Sequence, residues 1–313
     1  MTQRKDLLDL ESLSAEEITF ILETAGPFKQ LFKRSVKKVP RLQGKTVLML
    51  FYEPSTRTST SFEVAAKRMD ADVINLPLGQ SSVTKGESVL DTVETLQAMR
   101  VDYIVVRHQR SGIPGFIAKN TAASVINAGD GFHAHPTQGL LDAYTLRETW
   151  NGEFAGKRVL IAGDILHSRV ARSTSTVLRK LGVNVGVLGP GTLVPQHRHK
   201  ELTAFRSWDE ALEWAPDAVY LLRVQFERQG EKFFPSLNEY HQTFGLTEER
   251  LKVLKERGTW VMHPGPINRG LELADSVTRY ERCLINDQVE NGIATRMAVL
   301  YSLRPGAGEE VDA

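Results

Sequence analysis

The chain is poor in cysteine, in long apolar runs and in charge of one sign. Its 313 residues include a single cysteine, which excludes an intrachain disulfide and favours a reducing compartment. No apolar run approaches the roughly 20 residues that a membrane-spanning helix needs, and the N-terminus has no apolar signal core. The formal net charge of +1 gives no overall basic field. We therefore expect a cytoplasmic protein whose partners include neither a membrane nor a nucleic acid.

Several motifs of nucleotide-binding and hydrolytic enzymes are also missing. The chain has no G-x-G-x-x-G pattern and no G-x-x-x-x-G-K-[ST] loop, so dinucleotide binding and nucleoside triphosphate use are not predicted. It has no G-x-S-x-G pattern, so a covalent serine mechanism has no support. His133 and His135 suggest a metal, but no matching set of acidic or cysteine ligands is evident. We expect neither a metal nor a cofactor.

The fold class follows from length and periodicity. A chain of 313 residues is long for one hydrophobic core, so two domains are expected. Apolar runs of strand length alternate with segments of helical spacing, which predicts parallel sheets covered by helices on both faces. The prediction is an α/β protein with two doubly wound parallel-sheet domains and the active site in the interdomain cleft, beyond the carboxyl ends of the strands.

The predicted elements divide the chain into three parts. A capping box at residues 14–17 marks the first helix, and an amphipathic pattern at 288–303 marks the last. We predict a first domain over residues 1–135, a second over 136–287 that begins with a connecting helix at 136–150, and a C-terminal helix over 288–313 that returns to the first domain. The predicted strands are 46–51, 72–76, 103–106, 124–127, 159–162, 183–188, 218–222 and 259–262.

The most informative segment joins strand 46–51 to a helix. Pro54 ends the strand, and Ser55-Thr56-Arg57-Thr58 follow where the next helix begins. Free backbone N–H groups and the positive end of the helix dipole favour an anion at such a turn. Hydroxyl groups and a guanidinium suit phosphate oxygens. A polar helix cap with an exposed arginine is the alternative interpretation.

Other polar side chains also follow predicted strands. Arg107 ends one strand and is either a second phosphate ligand or a surface arginine. His135 and Gln138 lie near the start of a helix. Gln138 can bond an amine or a carbonyl, and His135 can donate to a carbonyl oxygen. A histidine that caps or packs against the helix is the alternative.

The second half of the chain repeats this arrangement. Arg169 stands at a helix start, and Arg223 and Gln225 follow a strand. Two arginines suit a substrate with two carboxylates. The segment 263–266, His-Pro-Gly-Pro, is a rigid turn that either offers backbone carbonyls to an amine or is an ordinary loop. The loop that contains Ser81 and Lys85 is of a kind that covers ligands, although most surface lysines are simply solvated.

These clusters, in this order, resemble the carbamoyltransferase family over about residues 7–303. The segment 55–58 is similar to the family's carbamoyl phosphate motif, and 135–138 is similar to its second motif. The segments 223–225 and 263–266 resemble the members that use aspartate as acceptor. Ornithine-specific members carry a His-Cys-x-Pro loop, and Pro264 stands at the position of that cysteine.

The resemblance implies transfer of a carbamoyl group from carbamoyl phosphate to the amine of L-aspartate, without a covalent intermediate, in pyrimidine biosynthesis. The first domain would bind carbamoyl phosphate and the second aspartate. The implied catalytic residues are Arg57, Thr58, Arg107 and His135. The implied carbamoyl phosphate contacts are Ser55, Thr56, Arg57, Thr58, Arg107, His135, Gln138, Gly265 and Pro266. The implied aspartate contacts are Lys85, Arg169, Arg223 and Gln225.

The resemblance also implies an assembly. Ser81 and Lys85 match a loop that family members lend to the neighbouring subunit's site, so a homotrimer with shared active sites is implied. Glu53 is similar to a residue that tethers the domains, through Arg169 or Arg228. A regulatory or dihydroorotase partner stays open.

The chain departs from the family pattern at two positions. Ser59 replaces an arginine that often follows the phosphate motif, and Gly265 replaces the leucine of some members. Two other functions also stay open, namely a carbamoyltransferase with a different amine acceptor and a non-catalytic protein that binds a phosphorylated metabolite.

Overall fold

The computed structural model describes residues 4–76, 88–194, 202–224 and 236–305. The chain forms two compact units, the first from Met1–Tyr144 together with Glu290–Ala313 and the second from Thr145–Val289. In the described residues, no helix combines the length and the apolar composition needed to cross a membrane.

The first unit is built on a parallel sheet with the strand order β2-β1-β3-β4. Its central strands are apolar and buried because helices cover them; Leu48 and Ile104 lie against Val93 and Ile117 of two such helices. The strands are β1 Thr46–Phe51, β2 Asp72–Asn75, β3 Tyr103–His108 and β4 Ser124–Asp130, and the helices are α1 Ala15–Gln30, α2 Thr56–Arg68, α3 Val89–Ala98, α4 Ile113–Lys119 and α5 Pro136–Thr149.

The second unit is built on a parallel sheet with the strand order β7-β6-β5-β8-β9. Leu160, Val219 and Val261 of its three adjacent strands lie in one core with Leu251 and Leu254 of a covering helix. The strands are β5 Arg158–Ala162, β6 Asn184–Leu188, β7 Thr203–Phe205, β8 Ala218–Leu221 and β9 Trp260–Met262, and the helices are α6 Arg169–Lys180, α7 Trp208–Glu213, α8 Leu237–Phe244 and α9 Glu248–Arg257. The last helix, α10 Ile285–Ser302, begins in the second unit and belongs mostly to the first.

Most helices begin at a serine or threonine cap. Ser14 accepts a hydrogen bond from the N–H of Glu17, whose side chain returns to the N–H of Ser14, as the predicted capping box requires. A serine or threonine side-chain oxygen also accepts a hydrogen bond from a first-turn N–H at α3, α6, α7, α8 and α9. These caps satisfy N–H groups that have no acceptor inside their own helix.

The predicted α/β class with two parallel sheets is confirmed. All eight predicted strands are present, with β1 at the predicted bounds. The prediction did not include α4, α7, α8, α9 or the edge strand β7. The predicted interdomain cleft and the predicted domain bounds stay predictions.

Candidate active site

Three neighbouring strands of the first unit end side by side. Phe51 of β1 pairs with Arg107 of β3, and the N–H of Tyr52 donates to the carbonyl of Arg107 at 2.9 Å. His108 at the end of β3 pairs with Asp130 at the end of β4. The carboxyl ends of parallel strands meet at one edge of a sheet, so the sheet brings together the segment 52–58, Arg107 and the segment 130–138.

The N-terminus of α2 differs from the capped helices. Ser55 occupies the N-cap position, but its side chain makes no capping hydrogen bond. Thr58 is buried and Arg57 is exposed. In the described part of the chain, the Arg57 guanidinium makes no hydrogen bond or ion pair. The hydroxyl of Ser59 donates to the carbonyl of Ser55 at 2.7 Å, so this departure from the family pattern is used inside the helix.

Arg107 is held by an acidic neighbour. Its Nε donates to Oε2 of Glu53 at 3.2 Å, and the two side chains are only 13% and 20% exposed. A charge-assisted bond of this kind restricts the guanidinium to one orientation. Glu53, which we expected to act as a tether between domains, therefore has a partner within the first unit, and the tether stays a prediction.

The turn between β4 and α5 is organised by Asp130. This buried carboxylate accepts hydrogen bonds from the N–H of Gly112 at 2.7 Å, the N–H of Ala134 at 3.1 Å and Nδ2 of Asn127 at 2.8 Å. Gly131 has a φ of +43°, and a Cβ there would lie 2.3 Å from the Ser111 hydroxyl. The turn therefore requires glycine at this position.

His135 and Gln138 follow this turn and are both buried. The carbonyl of His135 accepts from the N–H of Gln138 at 3.0 Å, which starts α5. Nε2 of Gln138 donates to Oδ1 of Asp142 at 2.9 Å, one turn along the helix. Nδ1 of His133 lies 3.1 Å from Oδ2 of Asp130. No group of three or more His, Cys, Asp or Glu side chains that could hold a metal ion occurs among the described residues.

Three neighbouring strands also end together in the second unit, where β5, β8 and β9 are adjacent. After β5, Asp164 accepts from the N–H of His167 at 3.0 Å, and Ser168 caps α6. Arg169 is the first residue of α6 and is only 4% exposed. Most arginines are exposed, so this degree of burial fits a built site better than a solvated surface.

Glu272 connects the segments that follow β8 and β9. Its Oε1 accepts from the N–H of Val224 at 2.9 Å, and its Oε2 accepts from the N–H of Asn268 at 2.8 Å. Val224 is next to the predicted ligand Arg223, and Asn268 follows the predicted turn 263–266. Burial raises the pKa of Glu272, and the hydrogen bonds from Val224 and Asn268 oppose that shift.

Two hydrogen bonds of His263 hold the turn after β9. Nδ1 of His263 accepts from the N–H of Gly265 at 2.8 Å, and the N–H of His263 donates to Oε1 of Gln288 at 3.0 Å. Gly265 has a φ of +65° and is joined to Pro266 by a cis peptide bond. The predicted site residues Ser81, Lys85 and Gln225, and Arg228 with them, lie outside the described residues.

Sequence reasoning missed four charged residues that support these segments. Asp130 and Glu272 are buried carboxylates that bind backbone N–H groups, and Asp142 and Arg296 are buried charges on α5 and α10. A spacing of four residues between Gln138 and Asp142 is the one signal that the sequence offers for this second layer.

Both units match models of a single family. Residues 5–148 match the model described as aspartate/ornithine carbamoyltransferase, carbamoyl-P binding domain, and residues 155–303 match the model described as aspartate/ornithine carbamoyltransferase, Asp/Orn binding domain. The chain belongs to the aspartate/ornithine carbamoyltransferase family. The resemblance that we identified from the segments 55–58 and 135–138 is therefore confirmed.

This carbamoyltransferase is similar to named proteins along nearly its whole length. It is 61% identical over 302 residues to the aspartate carbamoyltransferase catalytic subunit of Akkermansia muciniphila, covering 96% of this chain and 97% of that one. It is 52% identical over 302 residues to the same subunit of Endomicrobium trichonymphae, covering 96% of each. The solved aspartate transcarbamoylase from Trypanosoma cruzi in complex with carbamoyl phosphate superposes with a TM-score of 0.87 at 27% identity, covering 96% of this chain and 97% of that one.

Proposed function

We propose that this carbamoyltransferase transfers the carbamoyl group of carbamoyl phosphate to the α-amine of L-aspartate. The products are N-carbamoyl-L-aspartate and phosphate. Relatives at 61% and 52% identity carry the name aspartate carbamoyltransferase catalytic subunit. A solved structural neighbour holds carbamoyl phosphate.

The observation that carries the proposal is the N-terminus of α2. It has a cap residue that makes no side-chain cap, and next to it an exposed arginine. Backbone N–H groups, hydroxyls and a guanidinium there form a set of donors for a phosphate dianion. In this proposal Ser55, Thr56, Arg57 and Thr58 bind the phosphate, and Arg107 from the neighbouring strand completes the set.

The carbamoyl group has different requirements from the phosphate. Thr58, Arg107 and His135 donate to its carbonyl oxygen, on which negative charge develops as the carbon becomes tetrahedral. The oxygen of Gln138 accepts from the carbamoyl amino group. The carbonyls of Pro264 and Gly265 accept from the same group or from the attacking amine, and Pro266 fixes their turn.

Aspartate is bound through its carboxylates in this proposal. Arg169 and Arg223 supply guanidinium groups, which bind carboxylates with two parallel hydrogen bonds. Gln225 and Lys85 add further donors. The burial of Arg169 at the start of α6 supports this assignment, because arginines on an ordinary solvated surface are mostly exposed.

The chemistry is direct substitution at the carbonyl carbon. The aspartate nitrogen forms a bond to that carbon, the carbon–oxygen bond to phosphate breaks, and the leaving phosphate takes the proton of the amine. Alignment of the two substrates lowers the activation free energy by on the order of 7–11 kcal/mol in well-oriented systems. Each oxyanion donor contributes about 2.7–4 kcal/mol in comparable sites.

The proposal extends to the assembly and the cell. Ser81 and Lys85 act in the site of a neighbouring subunit, so the active form is a homotrimer. The reaction takes place in the cytoplasm as a step of pyrimidine biosynthesis. A regulatory or dihydroorotase partner is compatible with this arrangement.

An acceptor screen tests the proposal. Purified protein is incubated with carbamoyl phosphate and L-aspartate, L-ornithine or no acceptor, and both phosphate and the carbamoylated product are measured. We expect product with L-aspartate only. Product with L-ornithine alone contradicts the assignment of Arg169 and Arg223, and saturable carbamoyl phosphate binding without product contradicts catalysis.

A further inference from the structure

A buried polar group lies behind the proposed carbamoyl phosphate site, within the first unit. Gln138 and Asp142 occupy successive turns of α5, and Nε2 of Gln138 donates to Oδ1 of Asp142 at 2.9 Å. Asp142 is fully buried, and Gln138 is 8% exposed. Arg296 on α10 is 4% exposed, and α10 packs close to α5 at Gly292 and Leu141.

Arg296 is held firmly in this interior. Its Nη1 donates to the carbonyl of Gly292 at 2.9 Å, and its guanidinium carbon lies 5.1 Å from the centre of the Phe62 ring. Burial lowers the pKa of Arg296 to about 10, the charge of Asp142 opposes that shift, and the charge of Arg107 adds to it. The guanidinium therefore stays charged at neutral pH, and its positive charge is attracted to the carboxylate of Asp142.

The fold makes room for this arginine. A Cβ on Gly292 would lie 2.6 Å from Nη1 of Arg296 and 3.4 Å from Cδ2 of Leu141 on α5. Glycine inside a helix costs about 1 kcal/mol relative to alanine, so its presence here has a packing reason. That reason is the close approach of the guanidinium to α10 and of α10 to α5.

The ionised carboxylate determines the orientation of the Gln138 amide. A side-chain amide has a donor end and an acceptor end of nearly the same shape, and its hydrogen-bond partners decide which end faces which way. An ionised carboxylate can only accept, so the NH₂ end of Gln138 turns to Asp142. The oxygen end makes no hydrogen bond to any described residue and remains available as an acceptor.

We propose that Asp142 and Arg296 are positioning residues that hold the Gln138 oxygen toward the carbamoyl amino group and so select carbamoyl phosphate over acyl phosphates of the same shape. This inference rests on the proposed function. Acetyl phosphate carries a methyl group where carbamoyl phosphate carries an amino group, and a methyl group cannot donate to the Gln138 oxygen. Inorganic phosphate has neither group and reports on the phosphate donors alone.

The test compares these three ligands. Dissociation constants for inorganic phosphate, acetyl phosphate and carbamoyl phosphate are measured with the full-length wild type and with Gln138→Leu, Asp142→Asn and Arg296→Met. We expect each variant to lose about tenfold of the preference for carbamoyl over acetyl phosphate, the size expected for one buried hydrogen bond. Binding of inorganic phosphate should change by less than about twofold, since its ligands are other residues.

A double variant separates positioning from a general loss of structure. Asp142→Asn combined with Gln138→Leu should lose no more preference than Gln138→Leu alone, because Asp142 acts through Gln138. Arg296→Lys keeps the charge and should retain more of the preference than Arg296→Met. The inference would be overturned if the double variant lost the sum of the two single-variant losses. It would also be overturned if Asp142→Asn and Arg296→Met both kept the full preference for carbamoyl over acetyl phosphate.

Arg68→Met is the matched control. The Arg68 guanidinium also lies over a phenylalanine of the first unit, 4.3 Å from the ring centre of Phe32, and burial also lowers its pKa. It is at the opposite end of α2 from the phosphate cluster. This variant should lose stability and keep the ligand preference.

Asp142→Asn preserves side-chain shape, so it remains informative if Arg296→Met does not fold. A wild type with no carbamoyl phosphate binding would overturn the proposed function, and this inference with it.

Discussion

The two arginines of the proposed phosphate site have different surroundings. Arg57 is exposed and has no ion pair among the described residues, whereas Arg107 is mostly buried and bonded to Glu53 at 3.2 Å. Removal of Arg57 should therefore take away only the proposed ligand contact and no contact inside the protein. Removal of Arg107 should take away the proposed ligand contact and also the internal bond to Glu53.

Arg57→Ala is expected to lower kcat/KM at least roughly 100-fold, the effect of losing one charged donor to the transition state. Its free energy of unfolding should remain within about 0.5 kcal/mol of wild type, as at other surface positions. Steady-state kinetics and urea unfolding measure the two quantities. Arg107→Ala, the comparison variant, should lose activity and stability together. Wild-type kinetics in Arg57→Ala would remove Arg57 from the site.

His135→Ala is expected to lower kcat by about 100-fold, because its proposed partner is an oxygen that becomes charged only in the transition state. The KM for aspartate should change little, since the amino acid is bound by other residues. Initial rates over a range of aspartate concentrations at saturating carbamoyl phosphate give both constants. An unchanged kcat would assign His135 to packing at the start of α5.

His108 is expected to make stability depend on pH. Burial lowers its pKa below the ordinary value of 6.5; the charge of Arg110 acts in the same direction, and the charge of Asp130 opposes it. The unfolded chain then binds the proton more tightly, so the folded state loses stability as the pH falls through about 6.5. His108→Asn keeps an acceptor for the N–H of Arg110 but does not titrate. Urea unfolding at pH 7.5 and pH 5.5 measures the free energy of unfolding at each pH. The decrease between the two should be smaller in this variant than in wild type, and equal decreases would contradict the role of His108.

Sequence reasoning could propose ligand residues in the first unit because each of them follows an apolar strand within a polar cluster. Arg57 and His135 belong to that group. Asp142 and Arg296 do not, because they lie on two helices, α5 and α10, that are far apart in the sequence. Glu272 was missed for a similar reason: its partner Val224 lies 48 positions away. Local sequence patterns suggest which residues could face a ligand, whereas the residues that support them are brought together only by tertiary contacts.

At the scale of secondary-structure elements, the caps of α1 and α2 differ in a way that separates stability from binding. Ser14 caps its own helix, whereas Ser55 does not. The N–H groups of the first turn of α2 are thus left for another acceptor, which we propose to be the substrate phosphate.

Ser55→Ala is expected to weaken carbamoyl phosphate binding and leave the free energy of unfolding within about 0.5 kcal/mol of wild type. Ser14→Ala should do the reverse, with a loss of about 1 kcal/mol of stability and normal binding. Calorimetric titration and urea unfolding of both variants measure this contrast. A stability loss in Ser55→Ala as large as that in Ser14→Ala would mean that Ser55 is a structural cap.

The elements that were predicted and those that were missed differ in burial. The four interior residues of β1 are all buried, and its apolar run predicts its bounds. In β7, which has three residues, two are exposed, so no apolar run marks it. Helix α4 contains a proline in its first turn and spans seven residues, too few for a clear helical period. Short elements at the edge or on the face of a sheet are stabilised by their contacts with that sheet. Sequence periodicity therefore does not reveal them.

At the scale of the whole molecule, the proposed sharing of sites predicts complementation between inactive subunits. Arg57→Ala and Lys85→Ala damage the same site from two different subunits. In a random mixture of equal parts, a site is intact when its own subunit and the neighbour are each of the right type, so about one half times one half, or about one site in four, is restored.

The mixture is made by dissociating and reassembling the two purified variants, with native mass spectrometry to verify trimers that contain both. Recovery of about a quarter of wild-type activity is expected. Each variant taken alone through the same procedure is the control. Verified mixed trimers without recovered activity would contradict the shared site.

The first unit contains both ends of the chain, and the second is inserted between Tyr144 and Glu290. Synthesis on a ribosome proceeds from the N-terminus, so all the strands of the second sheet are complete before α10 emerges. A nascent chain that stops before α10 would have its second sheet in full and would lack Arg296. Premature termination near residue 285 should therefore yield a product that has the second sheet but lacks the proposed discrimination between acyl phosphates.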